Sequence, residues 1–115
     1  MRVIIAGGRD FDNYSLLKEK CDYYLKNYKD IEIVSGTANG ADILGEKYAS
    51  DNNFPIKKFP ADWEKLGRSA GYKRNAQMAE YADALIAFWN GTSKGTKHMI
   101  DLAESKNLKV RVVKY

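Results

Sequence analysis

The sequence predicts an α/β chain, a Rossmann-like three-layer sandwich in which a five-stranded parallel sheet carries helices on both faces. Short, continuous apolar runs alternate with segments of helical period along the whole chain. The connections are short, so consecutive strands run parallel through right-handed crossovers. Glycine-bearing segments, Gly7-Gly8-Arg9-Asp10 and Ser35-Gly36-Thr37-Ala38-Asn39-Gly40-Ala41-Asp42 among them, follow the apolar runs where a strand would hand over to a helix.

Val3 to Ala6 is apolar without interruption, as befits a central strand buried on both faces. After a loop from Gly7 to Asn13, Leu17, Cys21, Tyr24, Leu25 and Tyr28 recur at helical spacing, with Asn13 and Ser15 available as caps. Ile31 to Val34 reads as the second strand. The Gly36 to Gly40 loop then opens a helix with Ala41, Leu44, Gly45, Tyr48 and Ala49 on one face, Gly45 admitting close approach to the sheet. Pro55 to Phe59 is a weaker strand whose Lys57 and Lys58 suit an edge. Pro60 to Gly71 has no clean period and reads as a lid. Arg74 to Ala82 supplies a third helix, Ala84 to Trp89 a fourth strand, Gly95 to Ser105 a fourth helix and Lys109 to Val113 the last strand.

At 115 residues the chain is expected to be one domain over 1–115, burying about two-thirds of its unfolded surface without metals or disulfides. Cys21, the single cysteine, has no disulfide partner or zinc-ligand spacing, so it is read as a core residue and the cytoplasm as the expected compartment. Met1-Arg2 leads into an apolar run too short for a secretory leader. No stretch approaches the roughly 20 apolar residues of a membrane span, and no membrane partner is expected. Nineteen Lys and Arg against 15 Asp and Glu leave a net +4, which favours anionic ligands but falls short of a basic nucleic-acid tail. Asp10, Asp12 and Asp62 have no spacing that compels a metal, and none is expected.

In open α/β sheets ligands sit beyond the carboxyl ends of the strands, which gathers the glycine-bearing segments on one edge. Backbone N–H groups from Gly36 through Thr37, Ala38 and Asn39 to Gly40, with those at the start of the following helix, are candidates to hold a phosphate, and Ser35 and Thr37 could add hydroxyl donors. Helix capping is the alternative for Thr37 and Asn39. Asp42 would be repelled by a phosphate, and so either caps a neighbouring loop or accepts from a ribose hydroxyl. Gly95 and Thr96 repeat the arrangement at the fourth helix, with Ser93 and Lys94 as anion contacts. Gly7 and Gly8 bring Arg9 to the central edge, where a guanidinium forks onto two phosphate oxygens or stacks on a base; Arg68 and Arg74 add charge nearby. Asn75 is a candidate to read a base edge or tie down the lid, and Trp63 is preferred over Trp89 for stacking on a base. His98, without a companion ligand or nucleophile, reads as a helix-surface residue.

These residues, in this order, resemble the SLOG superfamily, in particular its small stand-alone members related to YspA and YpsA. The likeness covers nearly the whole chain. It rests on Gly7-Gly8-Arg9-Asp10-Phe11, the Ser35 to Asp42 segment, Asp62-Trp63, Gly71-Tyr72-Lys73-Arg74-Asn75, and Ala87-Phe88-Trp89 followed by Ser93-Lys94-Gly95-Thr96. The resemblance implies a Rossmann-like fold that binds a nucleotide or nucleotide-derived ligand. It also implies self-association, for which the tyrosine-rich first helix offers a surface. Members act as sensors in bacterial conflict and phage systems, and relatives process cytokinin-like nucleotides or bind single-stranded DNA.

Related phosphoribohydrolases carry a Gly-Thr followed three residues on by a glutamate that works with an arginine at the ribose. Met99 stands at that spacing after Gly95-Thr96, and a thioether neither ionises nor accepts a proton as a carboxylate does. Asp101 lies two residues on, about 200° around the helix. Binding without turnover, to sense or sequester a nucleotide signal, is therefore the leading expectation. Nucleotide N-glycosidase activity comes second. Single-stranded nucleic-acid binding ranks last, because the charge is modest and no continuous aromatic-basic stripe is present. No cofactor beyond the nucleotide-like ligand is expected.

Overall fold

Strand β1 (Arg2–Gly7) is apolar on both faces because it runs through the middle of the sheet. In the computed structural model, which describes residues 1–115, it pairs in parallel with β2 (Glu32–Ser35) on one side and β4 (Ala84–Trp89) on the other. Strands β3 (Ile56–Lys58) and β5 (Lys109–Lys114) complete an all-parallel sheet of order β3-β2-β1-β4-β5. The α/β, Rossmann-like arrangement is the one the sequence predicts. Lys57 and Lys58 lie exposed on an edge strand, also as predicted.

Alternation along the strands divides the core in two. Val3, Ile5 and Ile33 pack toward α1 (Tyr14–Leu25) and α2 (Ala41–Asp51), joined by Leu17, Cys21 and Tyr48. Ile4, Ala6 and Val34 pack toward α4 (Ala70–Tyr81) and α5 (Lys94–Ser105), joined by Met78, Met99 and Ala103. Asn13 caps α1 by accepting from the Leu16 N–H at 3.0 Å, whereas Ser15 lies inside the helix and Tyr28 beyond its end. Gly45 acts as expected: a Cβ there would stand 2.8 Å from the Ile5 side chain. No helix is long and apolar enough to cross a membrane.

The expected lid from Pro60 to Gly71 folds instead. Asp62 accepts from the Lys65 N–H at 3.1 Å and caps a one-turn helix, α3 (Trp63–Leu66). A 3-10 turn over Gly67–Ser69 follows, held by the Ser69 hydroxyl donating to the Leu66 carbonyl at 2.8 Å. Helix α4 therefore starts at Ala70 rather than Arg74, and Gly71, Tyr72 and Lys73 are helical. A four-residue helix is too short to show a period, and Gly71 disguises the start of the next one. Glycine serves there because a Cβ would press to 3.3 Å from the Trp63 ring.

Candidate functional site

The connections from β1 and β4 leave the sheet in opposite directions, α1 and α2 covering one face and α4 and α5 the other. Between the carboxyl ends of β1 and β4 opens a cleft of about 470 Å³. It collects Gly7, Gly8 and Arg9 after β1, Ala38 and Asp42 around the start of α2, Trp63 and Arg68, Arg74 and Asn75 of α4, and Ser93, Gly95 and Thr96 at the start of α5. Met78 and Met99 supply its most buried lining. Gly36, Thr37 and Asn39 line an adjoining hollow of about 270 Å³, separated from the cleft by Arg9, Trp63 and Arg74, which border both. The Lys94 side chain turns instead onto a neighbouring surface with Tyr72, Lys97, His98 and Asp101.

Of the cradle expected over Gly36 to Gly40, the Thr37 and Ala38 N–H groups are spent inside the fold, while those of Gly36, Asn39 and Gly40 meet no acceptor in it. The buried Ser35 hydroxyl donates to Glu46 Oε2 at 2.7 Å and accepts from the Thr37 N–H at 3.0 Å, which leaves it no part in the cleft. The Ala38 N–H donates to Asp42 Oδ2 at 3.2 Å, and the Ala41 N–H to the Gly8 carbonyl at 3.2 Å. Neither Thr37 nor Asn39 caps α2; the cap position is Gly40, at φ 79°. A Cβ on Gly40 would collide with the Gly8 carbonyl and reach within 2.7 Å of the Arg9 backbone. Glycine here brings one loop against another.

The start of α5 also leaves amides open. Ser93 caps it by accepting from the Thr96 N–H, and Asn90 Oδ1 accepts from the Thr92 and Ser93 N–H groups at 2.9 Å each. The N–H groups of Lys94 and Gly95, first in the helix, meet no acceptor within the fold, and nothing lies within 4 Å of where a Gly95 Cβ would project. Open amides at the positive end of a twelve-residue helix suit an anion.

Positive charge in the cleft is held in place. Arg74, half-buried, donates from Nη1 to the Gly36 carbonyl and from Nε to Asn75 Oδ1 at 3.0 Å. Burial lowers its pKa, while Asp42 opposes that shift. Arg9 is exposed, its guanidinium carbon 5.7 Å from the centre of the Trp63 ring. Trp63 is 49% exposed and presents a flat aromatic surface at the rim. Trp89 is committed to packing, its indole N–H donating to the Ser93 carbonyl at 3.1 Å.

Asp42, 5% exposed, bonds the Ala38 amide, the loop-capping role of the two considered for it. Burial pushes its carboxyl up to about 6, against the pull of the Ala38 N–H, Arg74 and Arg9. Met99, the residue set by the resemblance against a hydrolase glutamate, does line the cleft. Asp101 points outward into an ion pair with Lys97 at 2.8 Å. No group of three or more His, Cys, Asp or Glu side chains is placed to share a metal ion.

Sequence reasoning passed over several contributors. Asp10 lines the cleft and accepts from the Tyr115 hydroxyl at 2.6 Å, a contact across 105 residues with no local signature. Asn90, just before Gly91, shapes the α5 entrance, and an Asx turn is legible in that pair. His98 is no plain surface residue. Its ring stands edge-on to Tyr72 at 4.5 Å, and its Nδ1 lies 3.2 Å from Asn75 Nδ2.

Comparison with known proteins agrees with this architecture. The model of the YspA and cpYpsA-related SLOG family matches residues 1–66, a span that includes Arg9, Asp42 and Trp63 and stops before Arg74 and α5. Gene 61 protein of Mycobacterium phage D29 is 31% identical over 116 residues, covering 95% of this chain and 93% of that protein. The family match spans more than half of the chain and the phage protein aligns along nearly all of it: the chain belongs to the YspA and cpYpsA-related SLOG family.

Proposed function

We propose that the protein binds a nucleotide or nucleotide-derived ligand in the cleft between β1 and β4 and does not turn it over. The phosphate lies against Arg9, Arg74 and the open amides at the start of α5, and the base lies on Trp63. The observation that carries this is convergence: three arginines, an exposed indole and an unsatisfied helix start meet in one cleft at the switch in strand order. Binding without turnover is supported by Met99, whose thioether cannot transfer a proton and which stands where the resemblance places a glutamate in phosphoribohydrolases. Native mass spectrometry of the purified protein, then mass analysis of its cargo, identifies the ligand. Calorimetry with that nucleotide should show Arg9→Ala weakening binding about tenfold or more, as expected for loss of a charge-assisted contact. A protein that carries no cargo and gives no heat with nucleoside mono- or diphosphates at millimolar concentration sinks the proposal.

A second reading, cleavage of the N-glycosidic bond, draws on Asp42, a carboxyl in the cleft poised near 6 beside Arg74. It requires release of free base from a nucleoside monophosphate, lost in Asp42→Asn. Intact nucleotide after prolonged incubation removes it. Sensing also calls for something to report to. We assign that role to self-association through the surface carrying the exposed Tyr23 and Tyr28, which light scattering at rising protein concentration tests: a constant monomer mass rules it out.

A further inference from the structure

Asn75 links Arg74, in the cleft, to His98, which does not itself line it, and its amide fits between them in one orientation. Arg74 Nε–H, which can only donate, points to Asn75 Oδ1 at 3.0 Å. The Gly95 carbonyl, which can only accept, lies 3.4 Å from Asn75 Nδ2. The second Nδ2 hydrogen then meets His98 Nδ1 at 3.2 Å, so that nitrogen must offer a lone pair and the neutral ring must carry its proton on Nε2. Asn75 is 6% exposed, and bulk water does not readily replace a partner it loses.

We propose that His98 is a positioning residue: through the Asn75 amide it holds the Arg74 guanidinium in its place in the cleft, and a proton on His98 Nδ1 releases that hold. The value for ligand binding rests on the reading of Arg74 as an anion contact; the coupling itself does not. Protonation sets Nδ1–H against Nδ2–H, donor against donor. If the amide turns to give its oxygen to the imidazolium, Nδ2 confronts Arg74 Nε–H and the Gly95 carbonyl loses its donor. With the amide turned, Arg74 keeps only the Gly36 carbonyl and the charge of Asp42; unturned, the clash of donors pushes on the amide that holds it.

His98 faces Asn75 and the Tyr72 ring from α4, and Asp101, Lys94 and Lys97 from its own helix. Burial lowers its pKa, partly offset by Asp101, so the neutral, holding form is the one present at pH 7 and release belongs to the acid side. Arg74 faces Asp42 from α2 and Arg9 from the β1–α1 loop. Because Asp42 titrates in the same range, the two effects must be separated.

Nitrogen-resolved NMR of the ligand-free protein from pH 8 to pH 5 does so. In the wild type the neutral His98 ring should show Nδ1 unprotonated. In Asp42→Asn, the Arg74 Nε–H signal should shift with the same midpoint as His98. In Asp42→Asn combined with His98→Gln, whose side-chain oxygen accepts but does not titrate, that shift should vanish while the helical circular dichroism is retained. A proton on Nδ1 of the neutral ring, a flat Arg74 signal in Asp42→Asn, or an unaltered titration in the double variant each overturns the coupling. No nucleotide is present in these spectra. A coupled titration in a protein that binds no nucleotide keeps this inference and discards the functional proposal, and binding with uncoupled spectra does the reverse.

Discussion

Asp42 turns its carboxylate onto the Ala38 N–H and toward Arg74, yet burial outweighs both and raises its pKa to about 6 from an ordinary 3.8. Between those two values the folded chain binds more protons than the unfolded one, so stability falls as pH rises through that window. Above pH 6 the ionised form costs about 3 kcal/mol relative to a neutral group there, by the usual conversion of a pKa difference. Asp42→Asn keeps an acceptor for Ala38 and removes the charge. Urea denaturation should find the variant more stable than wild type at pH 8, with the difference shrinking or reversing at pH 4. A difference independent of pH would show that Asp42 does not titrate between the two. A loop cap was one of two roles open to the residue, on the ground that a phosphate would repel it, but its raised pKa was not legible, because burial is a property of the packed fold. The same holds for His98, whose meaning depends on Asn75, 23 residues away.

At the scale of elements, the strand-to-helix junctions were legible from glycine, but what each glycine admits was not. Gly40 lets two backbone segments touch, while Gly95 faces open space at a helix start. The sequence patterns are alike, and only the neighbours brought by the fold tell them apart. Gly40→Ala places a side chain at φ 79° against the Gly8 carbonyl and should cost at least about 2 kcal/mol, from backbone strain and overpacking together. Gly95→Ala should fold with unchanged stability or gain about 0.5–1 kcal/mol in helix propensity, while losing ligand affinity because a methyl group stands by the open amides. Thermal denaturation and calorimetry on both variants check this pair; full affinity in Gly95→Ala would place the anion elsewhere. Gly36 is a poor probe of the same question. A Cβ there meets the Arg74 guanidinium and the Asp42 carboxylate, both at 2.8 Å, so a larger residue disturbs the cleft from behind. The one-turn α3 stayed illegible because capping by Asp62 and not periodicity defines it.

Over the whole molecule, part of the positive charge is cancelled close at hand. Lys18, Lys47 and Lys97 pair with carboxylates one turn along their own helices, and Lys58 and Lys106 pair with Glu46 and Glu80. Such exposed pairs add little stability, but they cancel charge locally. The strand order β3-β2-β1-β4-β5 meanwhile carries Arg9, Arg68 and Arg74 from distant parts of the sequence to one cleft. That convergence was foreseeable from the rule for parallel sheets, though the reversal at β1 and β4 had to be seen. Localised charge predicts a shallow salt dependence. A mononucleotide has no condensed counterion atmosphere to release, so its log affinity should fall only weakly with log salt, whereas a single-strand binder making six contacts would show a slope of about −4. Fluorescence anisotropy with a labelled twelve-residue oligothymidylate, set beside calorimetry with the copurified nucleotide, separates these cases between 50 and 300 mM salt. The mononucleotide should bind at least tenfold more tightly at physiological salt. An oligonucleotide that binds more tightly and with the steep slope would mean that the strand, not the cleft, is what this surface recognises.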